Sequence, residues 1–152
     1  MIESLKKDYF MYDELMEEQK SFTATLSELY TMLGWIREKL DQTGLSDVEV
    51  RRIEIALEEG LVNVISYAYQ GKEGTIVLSI QFEEGKYVEI TIEDSGIPFN
   101  PLKHKRKVDP FIPVEELEEG GLGILFMQKL MDKVEYQRLK KKNQLTMRKN
   151  LP

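Results

Sequence analysis

The chain contains no cysteine. That excludes disulfides and thiolate metal sites, and it fits a reducing cytoplasm. A single histidine, His104, excludes a metal centre built on paired imidazoles. Excess positive charge is missing too: 21 Lys and Arg face 27 Asp and Glu, for a formal charge of -6. Nucleic-acid affinity normally rests on a basic face, so direct nucleic-acid binding is not expected. No apolar run approaches the roughly 20 residues that cross a bilayer. Residues 1–10 carry charges where a secretory signal has its apolar core. Neither a membrane span nor an export signal is read. Proline is sparse, and four of the five fall within residues 97–119, so most of the chain is free to form regular elements.

What is present suits one globular domain. The chain has 152 residues, 41% hydrophobic and 32% charged, enough to build a single core without staples. Residues 1–20 are acidic and mixed. They read as an N-terminal extension, either a short helix or an extended lead into a strand near 19–23. Residues 21–152 read as the domain itself. Thr25-Leu26-Ser27-Glu28 has the form of a capping box. Leu26, Leu29, Leu33, Ile36 and Leu40 follow at helical spacing, and Gly44 ends that helix. A second capping box, Ser46-Asp47-Val48-Glu49, opens a helix to about residue 69. Its buried side is Val50, Ile53, Leu57, Leu61, Val64, Ile65 and Ala68.

Residues 75–82 alternate in the manner of a strand, Glu84-Gly85 signals a hairpin, and residues 87–92 return. After the proline-bearing loop, residues 120–132 predict a helix. Residues 134–139 and 144–149 predict a last hairpin, turning across 140–143. The order is helix, helix, strand, strand, loop, helix, strand, strand. It favours an α+β two-layer sandwich with helices on one face of a mostly antiparallel sheet. The strand–crossover–strand alternation of a dinucleotide-binding sheet is missing.

Three groups of residues could carry chemistry. Glu59 and Asn63 lie four apart, hence on one side of the second long helix. The Asn carbonyl oxygen suits a hard cation, and the Glu can orient or deprotonate a hydroxyl. Alone, such a pair is more often simply solvated. Glu93-Asp94-Ser95-Gly96 ends a hydrophobic strand. A carboxylate there can accept a hydrogen bond from an exocyclic amine, and a glycine permits a tight turn beneath a flat ring. Alone, it also reads as a plain strand-end turn. Gly120-Gly121-Leu122-Gly123-Ile124 enters a helix, where backbone amides attract phosphate. It lacks the Lys-Ser/Thr ending of a P-loop.

In this order the three resemble the N, G1 and G2 boxes of the GHKL superfamily of ATPases and kinases. The segments at 54–69, 94–101 and 120–124 are similar to those of its anti-sigma factor serine/threonine kinases. The resemblance covers roughly residue 22 to the C-terminus. It implies the GHKL (Bergerat-type) ATP-binding fold and Mg-ATP as the nucleotide. Asn63 would bind Mg²⁺, and Glu59 would be the catalytic or water-positioning carboxylate. Asp94 would bond the adenine amine, Gly96 would lie beneath the base, and Gly121, Leu122 and Gly123 would approach the phosphates. Residues 97–119 would form the lid. It further implies a cytoplasmic kinase that phosphorylates an anti-sigma factor antagonist. A sigma factor would be the second partner, and a homodimer the assembly. The alternative is an ATP-binding switch without phosphotransfer. Pro98 stands where the superfamily often has a second glycine. The polar residue that helps hold adenine from the last hairpin falls by rough register at Gln144, with Thr146 nearby. His104 reads as an exposed loop residue, the basic run 103–107 as electrostatic support for phosphate or a solvated stretch, and 138–142 as an exposed turn. Met32, Trp35, Tyr67 and Tyr69 read as packing.

Overall fold

A computed structural model describes residues 15–103 and 123–152. His104, the basic run beyond Lys103, Gly120, Gly121 and Leu122 lie outside the described residues. Five strands form one antiparallel sheet in the order β1-β2-β3-β5-β4: β1 Leu15–Thr23, β2 Thr75–Glu83, β3 Tyr87–Asp94, β4 Lys133–Leu139 and β5 Lys142–Asn150. Among the described residues three α-helices, α1 Leu29–Leu40, α2 Asp47–Asn63 and α3 Gly123–Leu130, accompany it. This is the α+β sandwich expected from the element order.

Strand alternation decides which face the helices cover. Ile76, Leu78 and Ile80 of β2, Val88, Ile90 and Ile92 of β3, and Leu145 and Met147 of β5 are buried on one face. They join Met32, Ile36 and Leu40 of α1, Ile53, Leu57 and Leu61 of α2, and Ile124 and Met127 of α3 in one cluster. Each such side chain contributes about 1.5–3 kcal/mol on burial. The other face is polar and cross-linked. Arg148 bonds Glu89 at 2.8 Å, and Thr91 meets Thr146 at 3.2 Å.

Several local expectations change. Of the two alternatives for residues 15–20, the chain forms strand, and β1 extends from Leu15. The first capping box does not close. Thr25 makes no side-chain cap and meets Ser27 at 3.0 Å instead, because a single 3₁₀ turn, Leu26–Glu28, precedes α1. Leu26 is exposed for the same reason. At α2 the Ser46 hydroxyl does accept from the Glu49 amide, at 3.2 Å. That helix ends its α-form at Asn63 and continues as a π-turn, Val64–Ala68. The last hairpin turns on two residues, Lys140 and Lys141, both at positive φ. Asn143 is therefore a strand residue and not part of the turn.

Candidate functional site

The α2 side of the site is built on one helical turn. Asn63 is buried, and Glu59 is half-buried one turn before it. The Asn63 Nδ2 donates to the Glu59 carbonyl and to Glu59 Oε2, both at 2.7 Å. The Asn63 Oδ1 is buried with no hydrogen-bond partner among the described residues. Buried polar atoms are nearly always paired. An unpaired carbonyl oxygen is the donor a hard cation takes, so the residue fits Mg²⁺. No three His, Asp or Glu gather into a cage among the described residues. Mg²⁺ commonly takes one or two protein ligands and completes its shell with phosphate and water oxygens.

Gly123 brings α3 to this pair. A Cβ at Gly123 would fall on the Glu59 carboxylate, so only a bare backbone lets Glu59 lie against the first residue of α3. Helix-start amides favour anionic groups, which suits a phosphate as well as a carboxylate. Two of the sequence groups, 64 residues apart along the chain, are thus in contact.

Asp94 sits at the end of β3 with the parity of Val88, Ile90 and Ile92. The same alternation that buries those residues turns its carboxylate toward the helix layer, at 2% exposure. Burial raises its pKa above the usual Asp value; hydrogen bonds from Asn143 and the Gly96 amide oppose that rise. Both bonds reach Oδ1, at 2.9 and 2.8 Å. No hydrogen bond among the described residues is made to Oδ2. Gly96 is pressed against the π-turn that follows α2: a Cβ would strike the Ala68 carbonyl oxygen and lie 2.7 Å from its carbon. Ile97 N donates to that same oxygen at 3.0 Å. A cavity of about 480 Å³ borders this loop, lined in part by Ala68, Ser95, Gly96, Pro98 and Arg138.

Asn143 is the site residue that the sequence did not single out. It pairs with Asp94 in the register of β3 and β5 and is 3% exposed. Its Nδ2 donates to Asp94 Oδ1 and to Ile97 O at 2.8 Å. Its Oδ1 accepts from Phe99 N at 3.3 Å and from the Tyr136 hydroxyl. Gln144 and Thr146 face the other side of the sheet. Gln144 bonds Glu93 and Gln137, each at 2.7 Å, and Thr146 bonds Thr91. The hairpin's polar contribution to the site therefore comes from Asn143. Counting back by twos from Met147 and Leu145 would have shown it, had the turn been placed on Lys140 and Lys141. Arg138, read from sequence as part of an exposed turn, is half-buried and donates to Gly96 O at 2.8 Å.

Residues 22–149 match the family model described as a histidine kinase-like ATPase domain. A serine-protein kinase RsbW of Bacillus pumilus is 32% identical over 120 residues, covering 74% of this chain and 67% of that protein. An RsbW of Bacillus thuringiensis is 32% identical over 98 residues, and the chain spans 61% of its length. Among solved structures, the RsbU and RsbW domains of the Mycobacterium tuberculosis protein Rv1364c align with TM-score 0.61 at 17% identity, over 90% of this chain and 33% of that one. The SiaB–SiaC complex of Pseudomonas aeruginosa aligns with TM-score 0.53 at 11% identity, over 99% and 98%. These two structures bear on the fold alone.

Proposed function

The chain belongs to the histidine kinase-like ATPase domain family, on its anti-sigma factor kinase branch, and from that premise we propose that it is a protein-serine/threonine kinase that binds Mg-ATP and phosphorylates an anti-sigma factor antagonist. The observation that carries the reading is the unpaired, buried Asn63 Oδ1 beside a carboxylate. Leaving such an atom unpaired costs about 1–3 kcal/mol. A bound cation would repay that cost.

Asn63 would hold Mg²⁺, which when bound neutralises charge on the ATP phosphates. Glu59, oriented by Asn63 Nδ2, accepts the proton of the attacking serine or threonine hydroxyl. The hydroxyl oxygen gains the γ-phosphoryl group as its bond to ADP breaks. The backbone amides of Gly121, Leu122 and Gly123 would hold the phosphates. Asp94 Oδ2 would accept from the exocyclic amine of adenine, and Gly96 would leave room beneath the base. The RsbW relatives, named serine-protein kinases, support the kinase reading. By the same likeness a sigma factor is the second partner, the chain is a homodimer, and it works in the cytoplasm. Among the described residues no helix is long and apolar enough to cross a membrane.

The test is transfer of the γ-phosphate of labelled Mg-ATP to an antagonist protein. Glu59→Gln should lower the transfer rate by about 10²–10⁴-fold with nucleotide binding retained in calorimetry. Binding without transfer in the wild-type protein would assign a nucleotide-governed switch instead. A melting midpoint unmoved by millimolar Mg-ATP would remove the ATP reading altogether, since a ligand that binds only the folded state must raise it.

A further inference from the structure

Tyr69 has no part in the chemistry above, yet its hydroxyl is fully used. It donates to Thr75 O at 2.6 Å and accepts from Thr75 N at 3.3 Å and from Ser95 N at 2.8 Å. A phenolic hydroxyl has one proton and two lone pairs, and each has a partner here. The ring is seated on Gly74, where a Cβ would overlap it. Thr75 opens β2, while Ser95 follows the last residue of β3. One side chain therefore ties the start of one strand to the exit of its neighbour.

The Ser95 amide belongs to the peptide plane that leaves Asp94. Ser95 is itself exposed, so water is available to that amide, but the Tyr69 oxygen takes it. Fixing this plane fixes the backbone at Asp94, and with it the direction of the carboxylate. The neighbouring groups are held from other elements: Gly96 O by Arg138, Ile97 N by Ala68 O, and Ile97 O by Asn143. We propose that Tyr69 is a positioning residue whose hydroxyl aims the Asp94 carboxylate at the exocyclic amine of the bound base. The proposal rests on the Mg-ATP reading. It predicts that the hydroxyl governs discrimination between purines at position 6. Adenine presents an amine there, which Asp94 must meet; hypoxanthine presents an oxygen, which gains nothing from the aim.

The experiment titrates the wild-type protein and Tyr69→Phe with Mg-ATP and with Mg-ITP by calorimetry. The wild-type protein should prefer ATP. Tyr69→Phe keeps the ring on Gly74. It should weaken ATP about five- to tenfold, the worth of a misaimed hydrogen bond, and ITP by less than about twofold on the same scale. A purely structural defect would weaken both alike. An ATP-to-ITP ratio unchanged by the substitution overturns the proposal and leaves the ATP reading standing. A wild-type protein that binds neither nucleotide overturns both. A second measurement needs no variant: amide exchange followed by NMR in the nucleotide-free protein. The Ser95 amide should be protected despite the residue's exposure, and exchange at the rate of a free amide would overturn the proposal.

Discussion

Asn63 and Asn143 are both buried to within 3% of full burial, but their surroundings are opposite. Asn143 is saturated: two acceptors meet its Nδ2 and two donors meet its Oδ1. Asn63 has its Nδ2 paired twice and its Oδ1 unpaired among the described residues. The loop that would read the base is thus finished before any ligand arrives. The helix that would meet the phosphates keeps an oxygen in reserve. A preformed reader costs little ordering on binding, while an unpaired oxygen costs stability that only a ligand can return.

Substitutions can break this contrast. The largest expected effect on stability is at Asn143. Asn143→Leu takes one of two donors from the Asp94 carboxylate and strands Ile97 O and Phe99 N, and should cost about 3 kcal/mol or more in chemical denaturation. Gly96→Ala comes next. Its new methyl meets the backbone of Ala68 rather than a side chain that can swing away, so about 2 kcal/mol should be lost, together with nucleotide binding. Asn63→Leu should change stability by no more than about 1 kcal/mol, because it removes an unpaired oxygen along with two bonds. The same variant should nonetheless lose the response to Mg-ATP in a thermal shift. A loss of stability at Asn63 as large as that at Asn143 would show the two residues to be equivalent and erase the distinction.

The smallest effect is one of pH. Burial raises the pKa of Asp94, so the folded protein holds this proton at pH values where the unfolded chain has released it. The associated stabilisation is complete below the unfolded value and is lost as pH rises through the folded one. Asp94→Asn should remove that part of the pH dependence. Comparing unfolding midpoints of the two proteins from acid to neutral pH checks it: the wild-type protein should lose ground to the variant as pH rises.

Much of the fold was legible because it follows from short-range rules. Period-two burial in β2 and β3, helical spacing in α1 and α2, and the Ser46 cap are all local patterns. Misreadings came where local rules left equivalent choices. Thr25 and Glu28 have the letters of a capping box, but a 3₁₀ turn sets a different geometry. The run Lys140-Lys141-Lys142-Asn143 contains no glycine to mark where the chain reverses. Placing the turn two residues too long removed Asn143 from the strand and so hid its face. Tyr69 reads as packing in the sequence because an aromatic at the end of an apolar helix gives no local sign of three polar partners.

The sequence by itself determined which residue types were available and in what order: a carboxylate and a carboxamide one helical turn apart, an acid ending an apolar strand, and glycines at two later points. Those follow from covalent order and from the periods of helix and strand. Only the tertiary structure decided which of them touch. Glu59 meets Gly123, Asp94 meets Asn143, and Tyr69 meets Ser95 across 64, 49 and 26 residues of chain, respectively. Contacts of that kind depend on strand register and on how closely backbones approach, neither of which any local pattern encodes.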